Sequence, residues 1–402
     1  MGAWAGIDWA KDEHAVLVAG EHGEPLAERV FAHDEEGIAA LCELLVGLAV
    51  ERVTVERPDG LLVERLLAAG LCVFALHPNQ VKAARPRFRS QGNSDRFDAF
   101  VLCELARADA HRFRPLAPDS DTTKAIRAAT RTREDLVATR VALANPLGER
   151  FWPGAAAIFA EVDSQIALAS LERYPSPRDA RGLGERRLER FLHGHPGRRS
   201  AAELLERLHR APEGPAGQLE AEALRGVVLA LVATLRPLIG RICELEREIA
   251  HAVDAHPDGQ VFLSLSRDPK SVVTAATLLA EMGDSRLRCP SAEALAADGG
   301  MSAVAVESGK RKHAARWACD KRLRAALATL ANTSRHHNPW AADLYAGARA
   351  RGHDHQRAIR NVGRAWSRVL WRMWHDRQPY DPSRHSRSKV DTGRLTGPAG
   401  EL

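Results

Sequence analysis

The first 76 residues constrain the fold most. Three extended runs, Trp4 to Trp9, His14 to Ala19 and Pro25 to Ala32, follow one another, with a turn at Glu21-His22-Gly23-Glu24 between the last two, as in strands joined by hairpins. Helix and strand patterns then alternate. Asp34 opens a helical stretch through Leu48, Arg52 to Glu56 is a short strand ended by Pro58-Asp59-Gly60, and a second helix runs to Ala69. Leu71 to Leu76 is a further strand, stopped by His77-Pro78, and Ser94 caps a helix over Asp95 to Ala108. A meander followed by alternating helices and strands predicts an α/β domain, a mixed sheet flanked by helices as in RNase H-like folds.

Beyond this domain the pattern is helical. Asp121 to Phe151 reads as helix, and Pro175 to Ser200, rich in Pro, Gly and Arg, reads as a loop or hinge. Leu231, Leu235, Leu238, Ile242, Leu245, Ile249 and Ala252 recur at spacings of four and three, the seam of a coiled coil or of a helix packed on its own core. Pro237 inside that seam should kink it or begin a new helix. We therefore divide the chain into an α/β domain (1–115), an all-α coiled-coil region (116–255), a helical C-terminal domain (256–382) and a disordered tail (383–402).

At 402 residues, 45% hydrophobic and 27% charged, the chain can build two or three cores. No uninterrupted apolar run approaches the roughly 20 residues of a membrane span, and the N-terminus lacks a basic start before an apolar core. A cytoplasmic protein with no membrane partner is expected. The cysteines Cys42, Cys72, Cys103, Cys243, Cys289 and Cys319 stand singly, as reduced thiols do. Net charge is +5, but residues 301–402 hold 20 Lys/Arg against 8 Asp/Glu, which leaves −7 on residues 1–300. That division points to a polyanionic partner. Five of the eight tryptophans lie in the basic part, which marks it as folded rather than a solubilising tail.

Four carboxylates stand where an RNase H-like sheet would gather them: Asp8 on the first strand, Glu56 ending a later one, and Asp95 and Asp98 opening a helix, three apart on one face. Two Mg²⁺ ions about 3.5–4 Å apart need such an oxygen cage, to activate one oxygen and stabilise another in displacement at phosphorus. Singly, each residue has an ordinary explanation as a helix-dipole partner or strand-end polar group. Jointly, with Lys82, Arg85, Arg87, Arg89 and Arg96 close by to meet phosphates, they favour a metal site. Asp12, Glu13 and Asp59 are neighbours that compete for the same role.

The segments Gly6-Ile7-Asp8-Trp9-Ala10, Val55-Glu56-Arg57-Pro58-Asp59-Gly60 and Ser94-Asp95-Arg96-Phe97-Asp98-Ala99-Phe100-Val101-Leu102 together resemble the N-terminal domain of the insertion-sequence one-ten transposases, relatives of the Piv invertases. Val141-Ala142-Leu143-Ala144-Asn145, Thr274 through Asp284, and Glu307-Ser308-Gly309-Lys310 extend the likeness over most of the chain. The resemblance implies a RuvC-like domain whose DEDD site is Asp8, Glu56, Asp95 and Asp98. It implies a C-terminal domain whose nucleophile is Ser308, guidance by a bridge RNA, and element-end and target DNA as substrates for a homo-oligomer, dimer or tetramer. Gly309 permits close approach of a phosphate, and Lys310, Arg311, Lys312 and Arg316 can neutralise its oxygens. Ser302 is the competing serine. The chain departs from the family at Ser264-Leu265-Ser266-Arg267-Asp268-Pro269-Lys270, where a glycine-containing hairpin is usual. It departs again at Ala303-Val304-Ala305-Val306, more apolar than the family's segment. These departures bear on the activity of this copy rather than its ancestry.

Two rival functions stay open: an RNase H-like junction resolvase or nuclease that uses water, and a non-catalytic nucleic-acid scaffold. His336-His337 and His353 with His355 could ligate zinc, but no cysteine or carboxylate cluster stands beside them. Trp366, Leu370, Trp371 and Trp374 fall at helical spacing and are read as a packing face.

Overall fold

In a computed structural model of the chain, residues 2–88, 94–193, 200–211, 217–266, 268–308, 311–314 and 319–385 are described. They form two compact units, residues 1–121 with 282–378 and residues 122–281 with 379–402. The expected boundary at 256 therefore moves to 282, because residues 256–281 pack with the middle of the chain.

The first unit opens with β1 (Ala3–Trp9), β2 (Glu13–Ala19), β3 (Pro25–Ala32), α1 (Glu35–Gly47), β4 (Val50–Val55), α2 (Leu61–Ala68), β5 (Val73–Ala75), α3 (Pro78–Ala84) and α4 (Asp95–Ala108). The sheet order is β3-β2-β1-β4-β5. Strands β1 to β3 form an antiparallel meander and β4 and β5 run parallel to β1, the mixed sheet that the sequence pattern predicts. One face buries Ala3, Ala5, Ile7, Val16, Val18, Val53 and Val55 with Leu41, Leu45, Leu62 and Leu66 of α1 and α2. The other, through Ala15, Leu17 and Ala19, meets Ala99 and Cys103 of α4. Each fully buried Val, Leu or Ile side chain among these adds on the order of 1.5–3 kcal/mol.

The second unit contains α5 (Asp121–Pro146), α6 (Pro153–Ile158), α7 (Gln165–Arg173), α8 (Pro177–Ala180), α9 (Glu185–His193), α10 (Ala201–Arg210), α11 (Gln218–Ala255), α12 (Gly259–Leu263) and most of α13 (Val272–Met282). The expected loop over Pro175 to Ser200 is corrected to α8 and α9 in its described part. Ser176 caps α8 with Pro177 at its first turn, and Leu183 and Leu188 bury against Ile158 and Ala201. Helix α11 runs through Pro237 as one element, so no new helix begins there. Pro237 and Ala233, whose carbonyl it leaves without an N–H donor, both lie on the exposed side. By length and composition α11 could cross a membrane. Its Val228, Val232 and Leu235 are nevertheless buried against Leu147, Trp152, Leu168 and Leu171, and Arg236 and Arg241 interrupt the apolar run. The seam thus packs on its own chain.

The first unit resumes with α14 (Ala292–Asp298), a hairpin of β6 (Val304–Ser308) and β7 (Arg311–Ala314), α15 (Lys321–His337), α16 (Pro339–Ala350) and α17 (His355–Asp376). Trp366, Leu370 and Trp374 of α17 are buried, and the Trp366 indole donates to Ser334 Oγ at 2.8 Å, so the tryptophan stripe is a packing face. The segment before α5 ties the unit together. Arg114 donates to the Arg288 carbonyl at 3.2 Å, and the Asp284 and Ser120 backbone N–H groups donate to the Asp119 and Asp284 carboxylates at 2.8 and 2.6 Å. The tail from 386 onward lies outside the described residues.

A candidate metal centre at the end of the sheet

Asp8 and Glu56 are brought side by side by strand register. Gly6 pairs with Thr54 and Ile7 with Val55 along the parallel β1 and β4, so the next residues, Asp8 and Glu56, share the Gly6 face under the two-residue period. Helix α4 covers that face closely because Gly6 has no side chain. A Cβ there would fall 2.1 Å from the Ala99 carbonyl oxygen and 2.2 Å from the Cys103 nitrogen. The buried Thr54 hydroxyl donates to the Leu102 carbonyl at 2.6 Å and fixes the helix lengthwise. At its N-terminus Ser94 Oγ accepts from the Phe97 N–H at 3.3 Å, which starts the helix at Asp95 and sets Asp95 and Asp98 beside Asp8.

The carboxylates act on one another electrically. Burial, then the charges of Asp98, Glu56 and Asp95, push the Asp8 pKa from 3.8 up to about 7, while Arg85 opposes the rise. Glu56 is raised by burial and by Asp98, and Asp98 by burial first and then, against the pull of Arg85, by Asp95. A partly buried anionic cluster of this kind calls for a cation. Arg85, just past α3, supplies one: its Nη2 donates to Asp98 Oδ2 at 2.6 Å, with the two side chains 27% and 15% exposed. Asp98 Oδ1 is buried without a hydrogen-bond partner among the described residues. Among those residues no three carboxylate, imidazole or thiol groups already close on one point as ligands. The donor set nevertheless fits a hard divalent ion, because it offers oxygen ligands, excess negative charge and one buried oxygen still without a partner.

The expected phosphate contacts divide. Lys82 is exposed on α3, Arg87 is paired with Asp109 at 3.1 Å, and Arg96 lies 3.6 Å from Glu28. Arg85, read from sequence as a phosphate contact, is turned inward on Asp98; Arg89 lies outside the described residues. Ser308 ends β6 and faces Arg311 across the hairpin, with Lys312 next on β7. Gly309, Lys310 and Arg316 lie outside the described residues. Ser302 precedes β6 outside the hairpin.

Sequence reasoning missed a second cluster on the opposite face of the same strand ends. Trp9 and Arg57, each one residue past a carboxylate, stack at 4.4 Å in a cation–π contact. The buried His14 shares a 2.8 Å hydrogen bond with His33, and its ring lies 6.4 Å from Trp9. The signal available was register, since residues that follow paired carboxylates must themselves be neighbours.

Comparison with known proteins bears on this geometry. Residues 5–149 match the model of the DEDD transposases of IS110 type, and residues 271–346 match a second model, the transposase IS116/IS110/IS902 family. A mini-circle protein of Streptomyces coelicolor assigned as the transposase for IS117 is 30% identical over 401 residues, 95% of this chain and 96% of that one. The IS900 42 kDa protein of Mycobacterium paratuberculosis is 28% identical over 400 residues, 94% of this chain and 97% of that one. Among solved structures, T. thermophilus RuvC in complex with a Holliday junction substrate aligns at 21% identity and a TM-score of 0.23, over 29% of this chain and all of that one, a likeness too slight to carry an argument. End-to-end similarity to insertion-element proteins, with both family models in order along the sequence, shows that the chain belongs to the IS116/IS110/IS902 family of transposases.

Proposed function

We propose that this transposase cuts and rejoins DNA strands through a divalent-metal centre held by Asp8, Glu56, Asp95 and Asp98 and a nucleophile, Ser308. The observation that carries the reading is the gathering of these carboxylates at one end of the sheet, where Asp98 Oδ1 is buried without a hydrogen-bond partner among the described residues and burial with the neighbouring charges raises Asp8 to about 7. A bound Mg²⁺ pair would polarise the phosphodiester and stabilise the departing oxygen. Arg85 would then leave Asp98 and turn to a phosphate. The Ser308 hydroxyl would attack phosphorus and give up its proton to solvent; the bond to the leaving deoxyribose oxygen would break, and that oxygen would take up a proton. The serine–phosphate ester keeps the bond energy, so a second strand end can attack it, reform a phosphodiester and return the proton to Ser308. The family resemblance supports a bridge RNA that selects the strands and a homo-oligomer that holds two DNA partners.

The test is cleavage of element-end DNA by purified variants with matched circular dichroism. Alanine at Asp8, Glu56, Asp95 or Asp98 should abolish cutting, and Ca²⁺ should replace Mg²⁺ poorly. Denaturing quench of the parent with labelled DNA should yield an adduct whose tryptic peptide contains Ser308. Ser308→Ala should bind without an adduct, and Ser302→Ala should behave as the parent. Cleavage without joining in Ser308→Ala would favour a water-using nuclease, and full activity in two of the carboxylate variants would sink the four-carboxylate centre.

A further inference from the structure

Helix α17 carries arginines at 357, 360, 364, 368 and 372. At 3.6 residues per turn these positions fall within about 120° of arc, along about 22 Å of helix. The opposite side buries Ala358, Ile359, Val362, Trp366, Leu370 and Met373 in the helical part of the unit. The ladder therefore faces outward: Arg357, Arg364, Arg368 and Arg372 are exposed and Arg360 is half-buried. Among the described residues its ion pairs lie at the far end, Glu293 at 3.7 Å from Arg368, both more than half exposed, and Asp376 at 2.6 Å from Arg372, while at the near end Asp354 caps the helix by accepting from the Arg357 backbone N–H at 2.6 Å. Arg357, Arg360 and Arg364 make no ion pair among the described residues. The helix lies beyond residue 346, where the second family match ends.

We propose that this arginine ladder is a docking rail for the phosphodiester backbone of a DNA duplex. Residues 282–378 hold 18 Lys/Arg against 8 Asp/Glu, so the surroundings add to the attraction. Guanidinium groups grip phosphate oxygens in pairs, and a rail of about 22 Å matches about six base-pair steps of one strand at 3.4 Å each. Residues three and four apart on a helix follow one strand edge without entering a groove, so the contact positions the duplex and reads no bases. The proposal rests on the reading of the chain as a nucleic-acid enzyme but not on the carboxylate centre.

The test is equilibrium binding in EDTA, where the metal centre plays no part, with a DNA duplex and an RNA duplex of the same sequence across a salt series. Changing Arg357, Arg360, Arg364 and Arg368 together to Gln should flatten the slope of log affinity against log salt by about 3.6, near 0.9 per phosphate released, and weaken binding at least about tenfold at 0.1 M salt. Lysine at all four should restore the slope. Loss on the DNA duplex, alone or together with the RNA duplex, supports the rail, whereas loss on the RNA duplex alone overturns it in favour of an RNA occupant. An unchanged slope on both duplexes overturns the proposal. So does an equal loss when Arg225, Arg236, Arg241 and Arg247 of α11 are changed to Gln, because net charge alone would then suffice. Should the Gln variant fail to fold, phenylglyoxal modification of the parent decides: duplex must protect the α17 arginines, and full reactivity in its presence refutes the rail. Cleavage-dead Asp8→Ala protein that keeps the parental slope separates this result from any failure of the metal reading.

Discussion

At the scale of single residues, His14 offers a clear test of linkage. It is fully buried, its Nδ1 has no hydrogen-bond partner among the described residues, and burial, then His33, pull its pKa from 6.5 down to about 4. Between those values the unfolded chain holds a proton that the folded one refuses, so stability rises with pH across the window. The contribution is complete above about pH 6.5 and lost as pH falls toward 4, up to about 3 kcal/mol. Urea denaturation at stepped pH should show this slope in the parent and a flatter one in His14→Gln; identical slopes would remove His14 as the cause. Gly6 is tested more simply. Alanine there would drive a methyl into two backbone atoms of α4 that cannot swing aside, so Gly6→Ala should lose about 3 kcal/mol or more and displace the Asp98 end of the helix. A near-parental midpoint would mean that α4 can ride higher on the sheet than its position suggests.

At the scale of elements, helix α11 shows what a proline costs when its neighbours are wet. Pro237 withholds one N–H from the Ala233 carbonyl, yet both residues are exposed, so water can serve that oxygen and the helix continues. The interior penalty of about 3 kcal/mol relative to Ala is thereby softened, and Pro237→Ala should stabilise the chain by about 1–2 kcal/mol in denaturant titrations. A loss instead would show that the packing of Val232 and Leu235 depends on the local bend. Of the two outcomes expected at Pro237, the continuous element rules out a new helix, because periodicity reports a seam but not whether a proline faces water. Periodicity did better where alternation and capping agree, since β3 spans Pro25–Ala32 and α4 spans Asp95–Ala108 behind the Ser94 cap as expected. Helices α8 and α9 were hidden because arginines on their exposed turns mask the sparse apolar positions, Leu183 between them and Leu188 on α9, that anchor them. In the candidate site the four carboxylates were legible as residue types on named elements. The inward turn of Arg85 onto Asp98 was not, because ion-pair choice depends on tertiary position that spacing along the chain does not encode.

At the scale of the whole molecule, charge is divided within one compact unit. Residues 1–121 hold 13 Lys/Arg against 20 Asp/Glu, whereas residues 282–378 carry a net positive charge. The acidic part contains the carboxylate cluster and by itself should repel a polyanion, so under the proposed function a nucleic-acid substrate would be drawn in by the basic part and would need a bound cation to approach the carboxylates. The sheet, α1, α2 and α4 bury their apolar faces among residues before 117, while polar contacts of Arg114, Asp119 and Ser120 tie them to residues 284–288. A fragment of residues 1–121 should therefore fold cooperatively and keep the His14 pH dependence. It should gain thermal stability from Mn²⁺ or Mg²⁺, because a cation offsets the burial and the repulsion that raise Asp8, and Asp8→Asn should abolish that gain. In EDTA it should bind duplex DNA far more weakly than the full chain and with a shallower salt slope. A fragment that matches the full chain in EDTA would place the principal DNA contacts in the acidic part, and the division of labour between the two parts of the unit would have to be reversed.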